Sequence, residues 1–586
     1  MVRKEYNKLF VGGDLSGIQK FLYNITSRHA SISLKGRSAF LSNYLRKVCN
    51  TIENVIENYG GTYDELYCSG GKFYLITNNT SEIIKAIDEC AKIIKENLWE
   101  EHRGQLGVNI SYVPFSEENG KFYVKGHDDE QNTRSGVLWK YVNADFARQK
   151  NQKFISLLLS HPNRFFCFPP KDEKSKDDDE SKDLIVGKNH KVCALTGIES
   201  PDCRPLTKED FAKEGLTLAE YEEEKDNING SDNIPVYLPS VIEQIVQGKK
   251  LSINNKTKTF EQYATTDKGI ANGSKGDTYL GVLRMDVDGM GKKFIIGFPT
   301  LDDYRDFSKR AKNFFEHYIG GRAYENKDDM VKGYLLDEVD QQSGKKYRNF
   351  VNVIYAGGDD LFIVGRWDKV IDFAKLIHQK TIEEFKDDAY IDIFTPDKPL
   401  RKISISGGVA IVKPKFPIAK ASDMAGDAED TAKQEKEKNA FNLFGKNISW
   451  EKEFDFVEEF KNKFVNYISN YNKDYGFGKS ILHKTMLYSE IADMNVEREA
   501  KGKPKNYSYM WHISYFMTRF MEKFKGYDKE PNEQKRKTKK ELYDFCCDLR
   551  NRQLTDSRKL ELIAIAARWA ELLLKDQKDQ EITNNN

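Results

Sequence analysis

The sequence predicts an α+β chain made of two ferredoxin-like lobes, a small linker module and a helical C-terminal domain. Three observations predict it. A pair of motifs recurs across the chain, each copy sits in the same order of apolar periodicities, and helical spacing takes over after about residue 447. The motif GDLSGIQKF (residues 13–21) returns as MDVDGMGKKF (285–294), so Asp14 corresponds to Asp286 and Gly17 to Gly289. The second pair is LYCSGGKFYLI (66–76) and VIYAGGDDLFIVG (353–365). Each is an apolar run broken by two glycines, which is a hairpin signal.

The elements of the second copy follow in order. TYLGVLRMDV reads as a strand. LDDYRDFSKRAKNFFEHYI reads as an amphipathic helix, with Tyr304, Phe307, Ala311, Phe314, Phe315 and Tyr318 near one face. The hairpin comes next, then the helix WDKVIDFAKLIHQKTIEEF and the strand KISISGGVAIV, which completes a βαββαβ order. The first copy repeats it with LFVGGD, a helical region to about Asn58, its hairpin, SEIIKAIDECAKIIKENLW and QLGVNISYV. Expected domains are 1–160, 161–275, 276–446 and 447–586. The charged stretch 171–184 reads as a mobile loop, the basic connector 529–540 as an exposed loop and ITNNN as a frayed tail.

Composition bounds the function. Among 586 residues, 92 Lys+Arg stand against 91 Asp+Glu, so a polyanion would have to meet local basic patches. No apolar run approaches the ~18 residues of a membrane span, and MVRKEYNKLF lacks the apolar centre of a signal peptide. The expected location is cytoplasmic. Cys49, Cys68 and Cys90 read as small buried hydrophobes in a reducing compartment.

The chemistry concentrates in the second lobe. In a βαββαβ sheet the first strand lies beside the central hairpin, so Asp286, Asp359 and Asp360 can converge. Clustered carboxylates repel unless a cation neutralises them, which points to Mg²⁺ or Mn²⁺. Two such ions, roughly 3.5–4 Å apart, could activate a ribose hydroxyl and stabilise a leaving pyrophosphate. Asp288, Gly357 and Gly358 are expected to border the nucleotide, the glycines because a turn without side chains admits close approach. Lys292, Lys293 and Lys433 are candidates for phosphate. In the first lobe Ser16 replaces Asp288, and aligning the glycines sets Lys72 and Phe73 against Asp359 and Asp360. That lobe should lack the metal pair and bind nucleotide through Ser16, Gly70, Gly71 and Lys72, or be structural only.

With SLKGRSAFL (33–41) included, the ordered motifs from about residue 9 to 446 resemble the large subunit of type III CRISPR effector complexes, Csm-type branch. The resemblance implies two palm domains related to GGDEF and cyclase sheets, the second catalytic through Asp286, Asp359 and Asp360. It implies ATP as substrate and target-RNA-triggered synthesis of cyclic oligoadenylate with pyrophosphate release. The implied partners are crRNA and target RNA held by sister subunits, a Cas5-like subunit and a small helical subunit. Many members begin with an HD nuclease domain. Here the first palm motif starts at Gly13, and His127-Asp128 reads as a polar turn, so DNase activity is expected to be absent. The family's four-cysteine zinc site has only a partial counterpart in Cys167, His190, Cys193 and Cys203. The alternatives are a palm that makes another nucleotide product (an AMP conjugate or a cyclic dinucleotide) and a nucleotide-binding scaffold without catalysis.

Overall fold

The computed structural model describes residues 5–160, 162, 259–264, 279–321, 333–390 and 401–584, apart from positions 24, 26–29, 103, 128–133, 297 and 299. The stretch 171–184, the four linker Cys and His residues, and Asp128 lie outside these. By contacts the chain divides into two compact units, the first holding residues 1–264, 280–405 and 411–426, the second mainly 427–586. The first βαββαβ copy of the repeat lies in the first unit, and the second does too except for residues 406–410 of its last strand.

In the first copy, β1 (Lys8–Ser16) is followed by α1 (Ile18–Tyr23), α2 (Ala30–Asn58), β2 (Tyr63–Ser69), β3 (Lys72–Asn78), α3 (Ser81–His102) and β4 (Gly107–Glu118). A short strand, β5 (Lys121–Val124), turns back on β4, and α4 (Gly136–Asn151) follows. The sheet order is β2-β3-β1-β4-β5. It places the Gly-Gly hairpin beside β1, as the repeat predicts. The second copy runs β6 (Leu280–Asp288), α5 (Met290–Ile296), α6 (Leu301–Lys312), β7 (Val351–Gly357), β8 (Asp360–Arg366), α7 (Trp367–Glu384) and β9 (Ser404–Val412). Strand β8 pairs antiparallel with both β6 and β7.

Local chemistry explains the boundaries. Thr300 caps α6 in a capping box with Asp303, satisfying two of the amides that a helix start leaves orphaned. A π-helical turn (Asn313–Ile319) continues α6, and all six aromatic and alanine positions expected on its face are buried. Gly17 and Gly289 both have positive φ, near +89° and +82°, and each accepts the first helical bond of α1 or α5, from Phe21 and Lys293. The repeat therefore extends to backbone detail.

The lobes meet inside this unit. Trp139 of α4 stacks on Tyr304 of α6 with centroids 3.9 Å apart, and its indole N–H donates to the Tyr304 hydroxyl at 3.1 Å. Tyr23 packs on Phe362, and Arg305 pairs with Asp64 at 2.6 Å. The two hairpin tips touch backbone to backbone: a Cβ added to Gly70 would lie 2.7 Å from the Gly358 Cα.

In the second unit, α8 (Ile418–Lys433) contributes its last residues, and Gly407 and Gly408 of β9 pair in parallel with β10 (Ala440–Leu443), which forms a hairpin with β11 (Lys446–Ser449). Five helices follow: α9 (Phe454–Tyr475), α10 (Ser480–Ala500), α11 (Ser508–Met521), α12 (Glu533–Thr555) and α13 (Ser557–Asn584). Two expectations fail here. The connector 529–540 is exposed but helical from Glu533, because Asn532 caps the helix by accepting from the Lys535 amide at 3.0 Å, and Lys, Arg and Gln are good helix formers. The helix α13 runs through Asn584, so residues 582–584 continue it where a frayed tail was expected.

Gly70→Ala combines a positive-φ penalty with a clash against Gly358. It should cost roughly 1–3 kcal/mol in denaturant unfolding. Gly120→Ala, also at positive φ but with nothing within 4 Å, should cost less. Equal losses would contradict a tight inter-lobe contact at the tips.

Candidate active site

Strand register decides which side chains face each other. On β6 and β8, Asp286 stands opposite Asp360; on β1 and β3, Asp14 stands opposite Lys72. Ser69 and Gly357 occupy the same place at the ends of β2 and β7. Lys72 therefore corresponds to Asp360 and Gly71 to Asp359, one position away from the alignment that the glycine pairs suggest. The reason lies in the turns. Gly70 and Gly71 both have positive φ, as a type I′ turn requires, whereas in the second hairpin only Gly358 does, as in type II′. The turn, not the Gly-Gly pair, sets the register. Backbone bonds agree, with Leu15 N–H donating to Gly71 O and Val287 N–H to Asp359 O.

The consequence is electrostatic. Asp286 and Asp360 each offer a carboxylate oxygen within 4.8 Å of the other. At an effective dielectric of ~20, that proximity costs roughly 3–4 kcal/mol when both are ionised. Oxygen donors so placed fit a hard divalent cation. Asp359 was expected in the same group. Its main-chain oxygen is held at the turn, and its carboxylate is not part of this set of close oxygens. In the first lobe the facing pair is an acid and a lysine, so no equivalent repulsion arises. Asp14 is buried there, pairing with Lys150 at 2.9 Å and accepting from Asn109 at 3.4 Å.

A cavity of about 510 Å³ lies beside this pair, within the range of small-ligand pockets. The first lobe contributes Ser16, Gly17, Lys20, Gly70 and Lys150, and the second contributes Arg284, Tyr355 and Asp360. Its first-lobe wall is basic. Lys153 sits beside Gly17 and Gly107, and its pKa is lowered by burial and then by the neighbouring charge of Lys20. Such crowding of cations favours an anion.

The other expected residues divide. Ser16 and Gly70 line the cavity, whereas Gly71, Lys72, Gly357 and Gly358 do not. Asp288 is buried and accepts from Ser404 at 2.8 Å, so it ties β6 to the start of β9 and does not border the cavity. Lys293 is buried, pairs with Asp388 at 3.5 Å and lies over Phe298, which removes it as a phosphate ligand. Lys433 belongs to the second unit, where it pairs with Glu429 at 2.7 Å. Sequence reasoning missed Arg284, Lys150 and Tyr355. Arg284 did leave a signal, as a lone cation in an apolar strand two residues before Asp286. Lys150 left none, because helix α4 lies outside the repeated motifs.

Behind the turns, Ser69 donates to Glu316, which is buried in the π-helical turn. Burial, with added repulsion from Glu316, holds the Tyr67 hydroxyl well above the usual tyrosine range. These contacts fix the first-lobe tip against the second lobe.

Comparison with known proteins agrees with this architecture. Residues 279–442 match the family model "Cas10/Cmr2, second palm domain", and residues 7–164 match "Csm1 subunit domain B". A Methanocaldococcus jannaschii protein named CRISPR system single-strand-specific deoxyribonuclease Cas10/Csm1 (subtype III-A) is 27% identical over 79% of this chain and 62% of its own length. A protein of the same name from Enterococcus italicus is 27% identical over 84% of this chain and 61% of its own. The chain thus spans about three fifths of the length of these relatives. A crystal structure of a Csm1–Csm4 cassette in complex with cA4 superposes with a TM-score of 0.57 at 20% identity, covering 96% of this chain and 70% of that one. A cassette in complex with one ATP gives a TM-score of 0.57 at 19% identity over the same shares. At these identities the likeness is one of fold. Among the described residues, no helix is long and apolar enough to cross a membrane.

Asp286→Asn and Asp360→Asn should each weaken Mn²⁺ binding by at least ~10-fold, about 1.4 kcal/mol, without lowering the metal-free unfolding midpoint. Asp14→Asn should leave Mn²⁺ affinity unchanged. Calorimetric titration checks this, and equal affinities in all three variants would contradict the assignment.

Proposed function

This chain is a Csm-type large subunit of the Cas10/Csm1 family, and we propose that it converts ATP into cyclic oligoadenylate, releasing pyrophosphate, when its complex engages target RNA. The observation that carries the reading is the facing of Asp286 and Asp360 beside a cavity whose opposite wall is basic. The superposing Csm1–Csm4 cassettes, solved in complex with cA4 and with one ATP, support it.

Each part has a physical task. Asp286 and Asp360 hold Mg²⁺ or Mn²⁺, with Asp359 at the turn beside them. When bound, the metal polarises an α-phosphate and lowers the pKa of a ribose hydroxyl. Lys20, Lys150 and Arg284 offset the triphosphate charge. Tyr355 supplies an aromatic wall for a base. The first lobe has Lys72 in place of Asp360, so it presents an ATP without a metal pair of its own. Two bound nucleotides then lie on opposite walls of one cavity, and holding them so replaces a bimolecular encounter with an oriented one. Contact with crRNA and target RNA, through a Csm4-type subunit and other sister subunits, shifts the lobes toward the competent arrangement.

The experiment is labelled ATP with Mn²⁺, incubated with the chain alone and with the assembled complex plus target RNA. Cyclic oligoadenylate should appear only in the RNA-bound complex. A product of different mass, such as a dinucleotide or an AMP conjugate, would replace this reading with another palm chemistry. Asp360→Asn should reduce turnover at least ~100-fold, a loss of about 3 kcal/mol of charge stabilisation. Asp359→Asn should reduce it less. Unchanged turnover in Asp360→Asn would favour a scaffold.

A further inference from the structure

The first lobe contains a buried cluster that the proposed reaction does not use. Cys49 and Glu53 lie four residues apart on α2, and Glu65 and Cys68 lie on β2 against them. The Cys49 sulfur is 3.5 Å from Glu53 Oε1 and 3.9 Å from Glu65 Oε2, and it is hydrogen-bonded to the Cys68 thiol. One ligand atom from each of Cys49, Glu53 and Glu65 lies within 4.8 Å of the others. Cys49 is fully buried, Glu53 is 8% exposed and Cys68 7%. Glu65 also receives the guanidinium of Arg46.

Two residues three apart on a regular strand point to opposite faces. Glu65 and Cys68 share a face because a β-bulge between Glu65 and Tyr67 adds one residue. Strand β7 has the same bulge, between Val353 and Tyr355. There the corresponding residues are Val353 and Ala356. The repeat thus provides an internal control: where packing alone is required, these places take apolar side chains. The first lobe instead places the buried carboxyl of Glu53, the half-buried carboxyl of Glu65 and two buried thiols there, and buried polar groups are costly unless something compensates them.

Arg46 pairs with Glu65, whereas Glu53 accepts from the Cys49 thiol, a weak donor. Burial, then the charge of Glu65, raises the pKa of Glu53, and the hydrogen bond with Cys68, then burial, raises that of Cys49. A divalent cation bound here would take the thiolates and carboxylates as ligands and release their protons to solvent. With Zn–S near 2.3 Å and Zn–O near 2.0–2.2 Å, a tetrahedral site sets sulfur and oxygen ligands roughly 3.5 Å apart. The observed sulfur–oxygen separations are of that size.

We propose that Cys49, Glu53, Glu65 and Cys68 form a binding site for a zinc-class divalent cation in the first lobe. It would pin α2 to β2. Strand β2 runs directly into the turn whose Ser69 meets Glu316 and whose Gly70 meets Gly358, so the cation stiffens the stem of the inter-lobe contact.

The test uses Co²⁺ as the probe on the full chain carrying Cys167→Ser, Cys193→Ser and Cys203→Ser, which removes the linker thiols from the count. One equivalent of Co²⁺ should bind with a thiolate-to-metal charge-transfer band. Cys49→Ser together with Cys68→Ser should abolish the band. Glu53→Gln, a near-isosteric change that should leave the metal-free unfolding midpoint unchanged or raised, should weaken Co²⁺ binding at least ~10-fold. Absence of the band in the parent, its survival in Cys49→Ser/Cys68→Ser, unchanged affinity in Glu53→Gln, or thiol counting that finds Cys49 and Cys68 joined as a disulfide would each overturn the proposal.

Discussion

The antiparallel pairing of β6 with β8 governs the rest of this molecule. It puts two carboxylates opposite each other at the end of a strand pair, where hydrogen-bonded backbone prevents their separation. Side chains can swing away from like charge, but strands locked in register cannot. The acidic pair is thus a fixed feature of the fold, and its repulsion is relieved by a cation or by a proton. The equivalent pairing of β1 with β3 carries Asp14 opposite Lys72 and stores no such tension. One fold, used twice, thus sets two acids face to face in one lobe and an acid against a lysine in the other.

That asymmetry has meaning because the lobes meet at their hairpin tips. Gly70 and Gly358 permit a backbone approach that any side chain would block, and Trp139, Tyr304, Tyr23 and Phe362 fill the contact around them. The cavity beside the tips takes cations from one lobe and Asp360 from the other. Neither lobe alone encloses it. Buried polar contacts such as Ser69 to Glu316 fix how the tips sit, so small changes in lobe position would be felt at the cavity.

Much of this was legible from residues alone. The repeat predicted both βαββαβ orders, the end of α2 near Asn58 and the buried face of α6, because apolar periodicity records burial directly. The acidic pair was legible because strand order in this topology is nearly forced. Hairpin register was not. Two Gly-Gly pairs look equivalent in sequence, yet φ at the second central residue differs, and a one-residue slip exchanges facing partners. Lys293 illustrates a second limit. Its place beside the acidic motif suggested phosphate, but helical phase turns it inward to Asp388. Lys150 and the bulge that gathers Glu65 with Cys68 depend on contacts far apart in sequence, and no local pattern announces them. The helix at 533–555 was hidden for another reason: charge density suggested a loop, while Asn532 and strong helix formers outweighed solvent-exposed repulsion.

The most direct measurement is anomalous diffraction from crystals of the assembled complex soaked with Mn²⁺ and a non-hydrolysable ATP analogue. The account predicts a manganese peak within ligand distance of both Asp286 and Asp360, with triphosphate electron density reaching the basic wall formed by Lys20 and Lys150. A peak elsewhere, or clear nucleotide density with those two carboxylates turned away from any metal, would contradict it.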